Sequence, residues 1–293
     1  MMPVDSKEAE RLDIIHTMIQ AARPRGSRLH HAPFVEKRDP ITGEHPRVLD
    51  LGFGTGIWLL DMAEKYRNTD CVGVDRSNMA PKQLYHNVDL RTPFDYESAF
   101  WALGDNSFDF IHLQLGLGSV STSHWPQLYR KVFRHLKPGG YFEHVEIDWE
   151  PRCDDRTMPE GMYTKWHREY IVPPYDHVQR TIRYNQDTDS LFESTGFIHI
   201  QHQQFRIPTN GWSNDRAEHV AGTWWEHAMA SGPDRGNGFE AMSLFVLTQH
   251  QHWQVDHARR LCEDAMREAG NPSVHAYNVL HVWWAQKPPD LPK

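Results

Sequence analysis

Residues 47 to 66 read RVLDLGFGTGIWLLDMAEKY, and this stretch decides the fold. An apolar run from Arg47 to Leu51 breaks into Gly52, Gly54 and Gly56, and a helical pattern follows from Ile57 to Tyr66. Strand, glycine loop and helix in that order present free backbone amides at a helix amino end. Glycines let a ligand approach them without obstruction from a Cβ. The spacing is GxGxG. A dinucleotide site asks for a third Gly or Ala where this chain has Ile57, and a triphosphate cradle asks for a lysine where it has Trp58 and Leu59.

The pattern continues downstream. CVGVD (71 to 75), LYHNVDL (84 to 90), SFDFIHLQL (107 to 115) and YFEHVEID (141 to 148) read as the second to fifth strands. HWPQLYRKVFRHL (124 to 136) reads as a helix and KPGG (137 to 140) as a turn. Such alternation predicts an α/β fold with a parallel, doubly wound sheet. NQDTDSLFESTGF (185 to 197) predicts a helix closed by Gly196, IHIQHQQFRIP (198 to 208) a strand, and AYNVLHVWWAQKP (276 to 288) the last strand. Upstream, Asp5 and Glu8 fit a capping box ahead of Leu12, Ile15, Ile19 and Ala22, so residues 6 to 22 read as an amphipathic helix. The expected layout is a helix and lid over 1–46, a nucleotide-binding core over 47–148, and an insertion over 149–184 beside the substrate site. The rest of the fold then spans 185–293, with a mostly helical insertion over 212–270.

The chain has 293 residues, 39% hydrophobic and 24% charged, enough for one enlarged domain. No apolar stretch approaches the roughly 20 residues of a membrane span, and the acidic start MMPVDSKEAE does not read as a signal peptide. Cys71, Cys153 and Cys262 have no paired spacing, which suits a reducing, intracellular setting. The formal charge of -8 disfavours direct nucleic-acid binding. Arg23, Arg25 and Arg28 stand scattered among Pro24, Gly26 and Ser27 and form no basic import run. The 20 histidines invite a metal, yet no HExxH or Cys/His spacing occurs, and His199 and His202 differ in strand parity. No metal is expected.

Three acids narrow the ligand: Asp50 within the end of the first strand, Asp75 at the end of the second and Asp89 at the end of the third. A carboxylate at the second strand's end suits a ribose diol and would repel a 2′-phosphate. With few basic residues near the loop, a cofactor carrying a sulfonium and an ammonium is better tolerated than a pyrophosphate. S-adenosyl-L-methionine fits, with S-adenosyl-L-homocysteine as its product.

VLDLGFGTG, VGVD, SFDFIHL and LKPGGYF together resemble class I S-adenosylmethionine-dependent methyltransferases, whose Rossmann-like sheet has seven strands, the last antiparallel. RLDIIHTMI (11 to 19), LDLGFGTGIW (49 to 58), IHLQLGLGSV (111 to 120), FEHVEIDWEPRCDD (142 to 155) and HAYNVLHVWWAQKP (275 to 288) are similar to stretches of the fungal LaeA family. The resemblance implies a methyltransferase-like nuclear regulator of secondary metabolism and development that associates with velvet-domain proteins. A biosynthetic enzyme that methylates or rearranges a small metabolite is the alternative. The resemblance also implies that Asp50, Gly52, Gly54, Thr55 and Gly56 surround the cofactor's methionine part. It places Asp75 at the ribose, with Arg76 in the same set, and Asp89 and Leu90 at the adenine edge. Gln114 and Leu115 lie where the cofactor's amino group is usually met; core packing is the other reading for them.

Methyl transfer is an in-line displacement in which positioning and desolvation carry much of the rate. A hydroxyl or amine acceptor needs a base, and His144, Glu146 and Asp148 alternate along one face of the fifth strand. Asp148 stands nearest the strand's end; His112, Tyr163 and His167 are further candidates. His30 and His31 could close over the cofactor or lie in a solvated loop. Trp224-Trp225 and Trp283-Trp284 read as core or as an aromatic surface.

Overall fold

The computed structural model describes residues 3–24, 26, 29–40, 42–230, 232 and 235–290. Arg25, Ser27 and Arg28 of the basic stretch lie outside the described residues. Seven strands form one sheet: β1 (Arg47–Leu51), β2 (Asp70–Val74), β3 (Val88–Arg91), β4 (Phe108–Gln114), β5 (Leu136–Arg152), β6 (Ile198–Pro208) and β7 (Tyr277–Gln286). Their order is β3-β2-β1-β4-β5-β7-β6. The first five pair in parallel, and β7 enters antiparallel between β5 and β6. The order reverses beside β1, so the carboxyl ends of β1 and β4 diverge and open a crevice there.

Each face of the sheet is covered. On one side, α2 (Ile57–Lys65) packs on Val48, Cys71 and Phe110, and Val145, Ile147 and Trp149 of β5 meet α1 (Ser6–Ala22) and the insertion helices. On the other, α3 (Trp125–His135) and α6 (Thr188–Thr195) cover Phe142, Ile111, Leu113 and Trp283. The 149–184 insertion holds α4 (Met162–Lys165), a π-helical turn over 166–171 and α5 (Val172–His177). The later insertion holds α7 (Arg216–Met229), α8 (Gly238–Phe245), a π-helical turn over 246–250 and α9 (Val255–Ala269).

Local rules account for the boundaries. Asp5 caps α1 by accepting from the Glu8 amide at 2.8 Å, whereas the Glu8 side chain turns away to Arg11, so only half of the capping box forms. Gly196, at φ 101°, closes α6 as expected. Two expectations need correction. The third strand begins at Val88 rather than Leu84, and Leu84 and Tyr85 are exposed loop residues. KPGG is not a turn outside the sheet: it bulges within β5, where Leu136 pairs with Phe108 and pairing resumes at Tyr141 with Phe110. A Cβ at Gly140 would stand 2.9–3.1 Å from three backbone oxygens, which is why glycine occupies the bulge.

Trp225 and Trp283 are fully buried; Trp224 packs on the same core as Trp225, whereas Trp284 packs on the sheet face opposite Trp283. No described helix is long and apolar enough to cross a membrane.

Candidate functional site

A cavity of about 470 Å³ opens at the carboxyl ends of β1, β2 and β4. The glycine loop forms its floor. Gly52, Gly54 and Gly56 have φ of 83°, 57° and 81°, the left-handed region that glycine enters without strain. A Cβ at Gly52 would meet no atom within 4 Å, so the loop faces open space, and one at Gly54 would stand 3.4 Å from Leu12 of α1. The loop is held from two directions. Gly54 N–H donates to Asp75 at 2.8 Å, and Thr55 Oγ1 donates to Asp13 of α1 at 2.6 Å. The second Asp75 oxygen accepts from Ser77 N and Oγ at 2.8 and 3.1 Å.

Asp50 is buried in the cavity wall. Burial, reinforced by the charge of Asp75, holds its carboxyl well above the usual carboxylate range. A buried carboxyl in that condition is complementary to a bound cation, which would restore its charge. The arginines that border the cavity are already neutralised. Arg76 lies 2.7 Å from Asp95 and 3.2 Å from Glu97, and Arg180 lies 3.0 Å from Glu97. The donor set therefore favours a cationic ligand over a polyphosphate.

Most of the sequence-derived cofactor set meets here: Asp50, Gly52, Gly54, Thr55, Asp75, Arg76, Gln114 and Leu115 all line the cavity. Gly56 starts α2 behind the loop. Asp89 and Leu90 do not line it. Asp89 is the second residue of β3, opposite Val72, and pairs with Arg91 at 2.9 Å on the surface, while Leu90 packs under Gly73. The wall beyond Asp75 is built instead from Ser77, Tyr96 and Arg180.

Of the three candidates on β5, Glu146 alone lines the cavity. It accepts from Leu117 N at 3.0 Å, and His144 Nε2 lies 3.5 Å behind it. His144 is turned toward Tyr129, whose hydroxyl is 2.8 Å from Nδ1. Asp148 is tied to Arg152 at 2.6 Å and to Glu150 N at 3.1 Å, away from the cavity. The remaining candidates are structural in their surroundings. His112 stacks on Trp58 at 3.8 Å and Tyr163 donates to Asn278 at 3.3 Å. Burial pushes the His167 imidazole down to about 4. His30 and His31 do not close over the cavity: His30 is 2.7 Å from Tyr66 Oη, and His31 stacks on Trp284.

The sequence reading missed the other walls. Glu8, Arg11, Leu12 and His16 of α1, Trp149 of β5 and Met242 of α8 complete the cavity. His16 falls on the inward face of a helix read only for its apolar stripe. Met242 and Arg180 come from insertions with no motif.

The strand order, the glycine loop and its acids define a class I S-adenosylmethionine-dependent methyltransferase. The methyltransferase-domain family matches residues 14–202. The chain is 42% identical to the Cochliobolus heterostrophus secondary metabolism regulator LAE1, over 98% of this chain and 90% of that one. It is 37% identical to the Emericella nidulans protein-methionine methyltransferase laeA, over 98% of this chain and 72% of that one. A Haemonchus contortus phosphoethanolamine N-methyltransferase shares the fold at a TM-score of 0.50 and 15% identity, over 95% of this chain and 52% of that one. The chain belongs to the LaeA family of S-adenosylmethionine-dependent methyltransferases.

Proposed function

We propose that this chain transfers a methyl group to a protein acceptor and regulates secondary metabolism from the nucleus together with velvet-domain proteins. The observation that carries the catalytic part is the continuity of the cavity, from Asp75 and Asp50 past Gln114 to Glu146, Trp149 and Met242. In this reading Asp75 holds the ribose, the glycine loop and Asp50 hold the amino-acid end, and Tyr96 with Arg180 bounds the adenine. Asp89 keeps no direct role. Bound S-adenosylmethionine supplies a methyl carbon activated by its sulfonium. The chain's residues would do the rest: α1 covers one side of the cavity, Trp149 and Met242 would give the acceptor an apolar seat, and Glu146 would offer it a carboxylate. For an amine or hydroxyl acceptor Glu146 Oε2 receives the proton; for a thioether no proton leaves, and the same carboxylate faces the new positive charge.

The regulatory part draws on the names of the relatives, which are described as secondary metabolism regulators. Glu146→Gln tests the catalytic part: methyl transfer to the protein's acceptor should fall roughly 10²-fold with S-adenosylhomocysteine affinity unchanged. Full transfer by the folded variant would overturn the role of Glu146. Co-purification with a velvet-domain protein and nuclear accumulation of a fluorescent fusion test the rest. Turnover of a free metabolite without a protein partner would favour the biosynthetic alternative.

A further inference from the structure

Behind Glu146 lies a buried polar pair that does not reach the cavity, His144 of β5 and Tyr129 of α3. The His144 ring stacks on Trp125 at 5.3 Å and on Phe142 at 6.2 Å, and its two nitrogens meet different partners. Nδ1 lies 2.8 Å from Tyr129 Oη, and Nε2 lies 3.5 Å from Glu146 Oε2. No other basic side chain among the described residues pairs with Glu146. His281, opposite Glu146 on β7, is engaged with His202 at 2.9 Å, and burial pushes it down to about 3, so it stays neutral. Asp148, next along the same face, is tied to Arg152. His144 is therefore the group that stands nearest the Glu146 charge.

The Tyr129 hydroxyl settles which ring nitrogen carries the proton. Burial pushes the phenol well above its ordinary value, so the hydroxyl keeps its own proton. Among the described residues, His144 Nδ1 is the one acceptor within hydrogen-bond reach of it. The hydroxyl donates to Nδ1, which leaves the proton of the neutral ring on Nε2, toward Glu146. The other tautomer would orphan a buried hydroxyl proton and set the Nε2 lone pair against a carboxylate oxygen. We propose that His144 is a positioning residue that acts through Glu146: its Nε2–H, held in place by Tyr129, faces the Glu146 carboxylate from behind and supports the charge that this residue presents to the cavity. This rests on the assignment of Glu146 to the acceptor site. At 3.5 Å the contact is long, as such contacts often are in an unliganded site. His144 is then the support of a base and not the base, since one nitrogen is bound to Tyr129 and the other already carries a proton. Leu117 N, which donates to the same Glu146 oxygen at 3.0 Å, ties the pair to the loop after β4.

Nitrogen NMR of the histidine rings and isotope-edited infrared spectra of the whole protein test the contact. The His144 signals are those that His144→Gln removes, and the Glu146 carboxylate band is the one that Glu146→Gln removes. In the unaltered protein the ring should show a protonated Nε2 and a bare, hydrogen-bonded Nδ1; a bare Nε2 would overturn the role of His144. His144→Phe keeps a ring between Trp125 and Phe142 and removes the donor, so the Glu146 band should move. His144→Gln sets an amide nitrogen near the Nε2 position and should return the band most of the way. S-adenosylhomocysteine affinity should stay within about threefold in both. A Glu146 band that His144→Phe leaves in place would overturn the proposal. Tyr129→Phe removes only a hydroxyl and keeps the test open if position 144 does not tolerate change: the Nδ1 resonance should move toward that of an unbonded nitrogen, and an unmoved resonance would overturn the link to Tyr129. Full methyl transfer by Glu146→Gln would instead overturn the role of Glu146 beneath the proposal, whatever the spectra show.

Discussion

Asp50→Asn separates binding from stability at one atom. The two side chains are isosteric, so the change removes a charge without leaving a cavity. In the free protein, burial and Asp75 raise the Asp50 carboxyl well above its ordinary value. The folded-state pKa therefore exceeds the unfolded one near ~3.9. Stability is unaffected below that unfolded value and is lost as pH rises toward the folded value, because the unfolded chain ionises first. Asparagine lacks this penalty, so the unliganded variant should melt at or above the unaltered protein at pH 8. Cofactor affinity should move the other way. A hydrogen bond between charged groups contributes about 1.5–3 kcal/mol, and part of it is spent ionising a reluctant carboxyl. The lower half of that range remains, a loss of roughly 10- to 30-fold in Kd for S-adenosylmethionine. The unaltered protein should also bind more tightly as pH rises and release protons on binding, measured by calorimetry in buffers of different ionisation enthalpy. Asp50→Asn should do neither. Unchanged affinity and unchanged proton release in a folded variant would refute the assignment of Asp50 to the cationic end.

Three further outcomes follow from the same geometry. Asp75→Ala should weaken S-adenosylhomocysteine by about 10²-fold, since it removes both a ribose acceptor and the bond that holds Gly54; calorimetry measures it, and an unaltered Kd would refute the ribose role. Glu97→Gln should speed cofactor release several-fold in stopped-flow binding, because Glu97 joins two arginines that line the cavity, Arg76 and Arg180, and also fixes Ser121; an unchanged off-rate would contradict that link. Acid should destabilise the fold through its buried imidazoles. Burial pushes His167 and His202 down to about 4 and His281 to about 3, so these rings stay neutral in the fold and protonate on unfolding. Their contribution is complete above the unfolded value near ~6.5 and is lost as pH falls toward about 4. Tm should therefore drop between about pH 6.5 and 4, and a flat profile there would contradict the burial of these rings.

Much of this was legible in the sequence, for identifiable reasons. RVLDLGFGTGIWLLDMAEKY is legible because strand, loop and helix are each local. Arg47–Leu51 forms as read, and the glycines adopt the positive φ that their spacing suggests. Gly196 is legible for the same reason, since a helix end is decided within a few residues. The third acid was not. A carboxylate near a strand end looks alike whether it faces a ligand or solvent, and pairing with β2 sets Asp89 opposite Val72, outside the cavity. KPGG misleads because the two chains that absorb its bulge, β4 and β7, are remote in sequence: Gly139 N donates to Lys287 O at 3.0 Å, and Lys287 N to Gly140 O at 2.9 Å. Asp148 stands nearer the strand's end than Glu146, but Arg152, four residues on, holds its carboxylate. Arg180, Met242 and His16 reach the cavity only through the packing of α1 and the insertions, which no local pattern encodes.

The most direct test of the account is a calorimetric titration of the unaltered protein with S-adenosylmethionine, NAD and ATP in parallel. The account predicts one site per chain for S-adenosylmethionine and no measurable heat of binding for NAD or ATP. Binding of NAD or ATP without S-adenosylmethionine would contradict it.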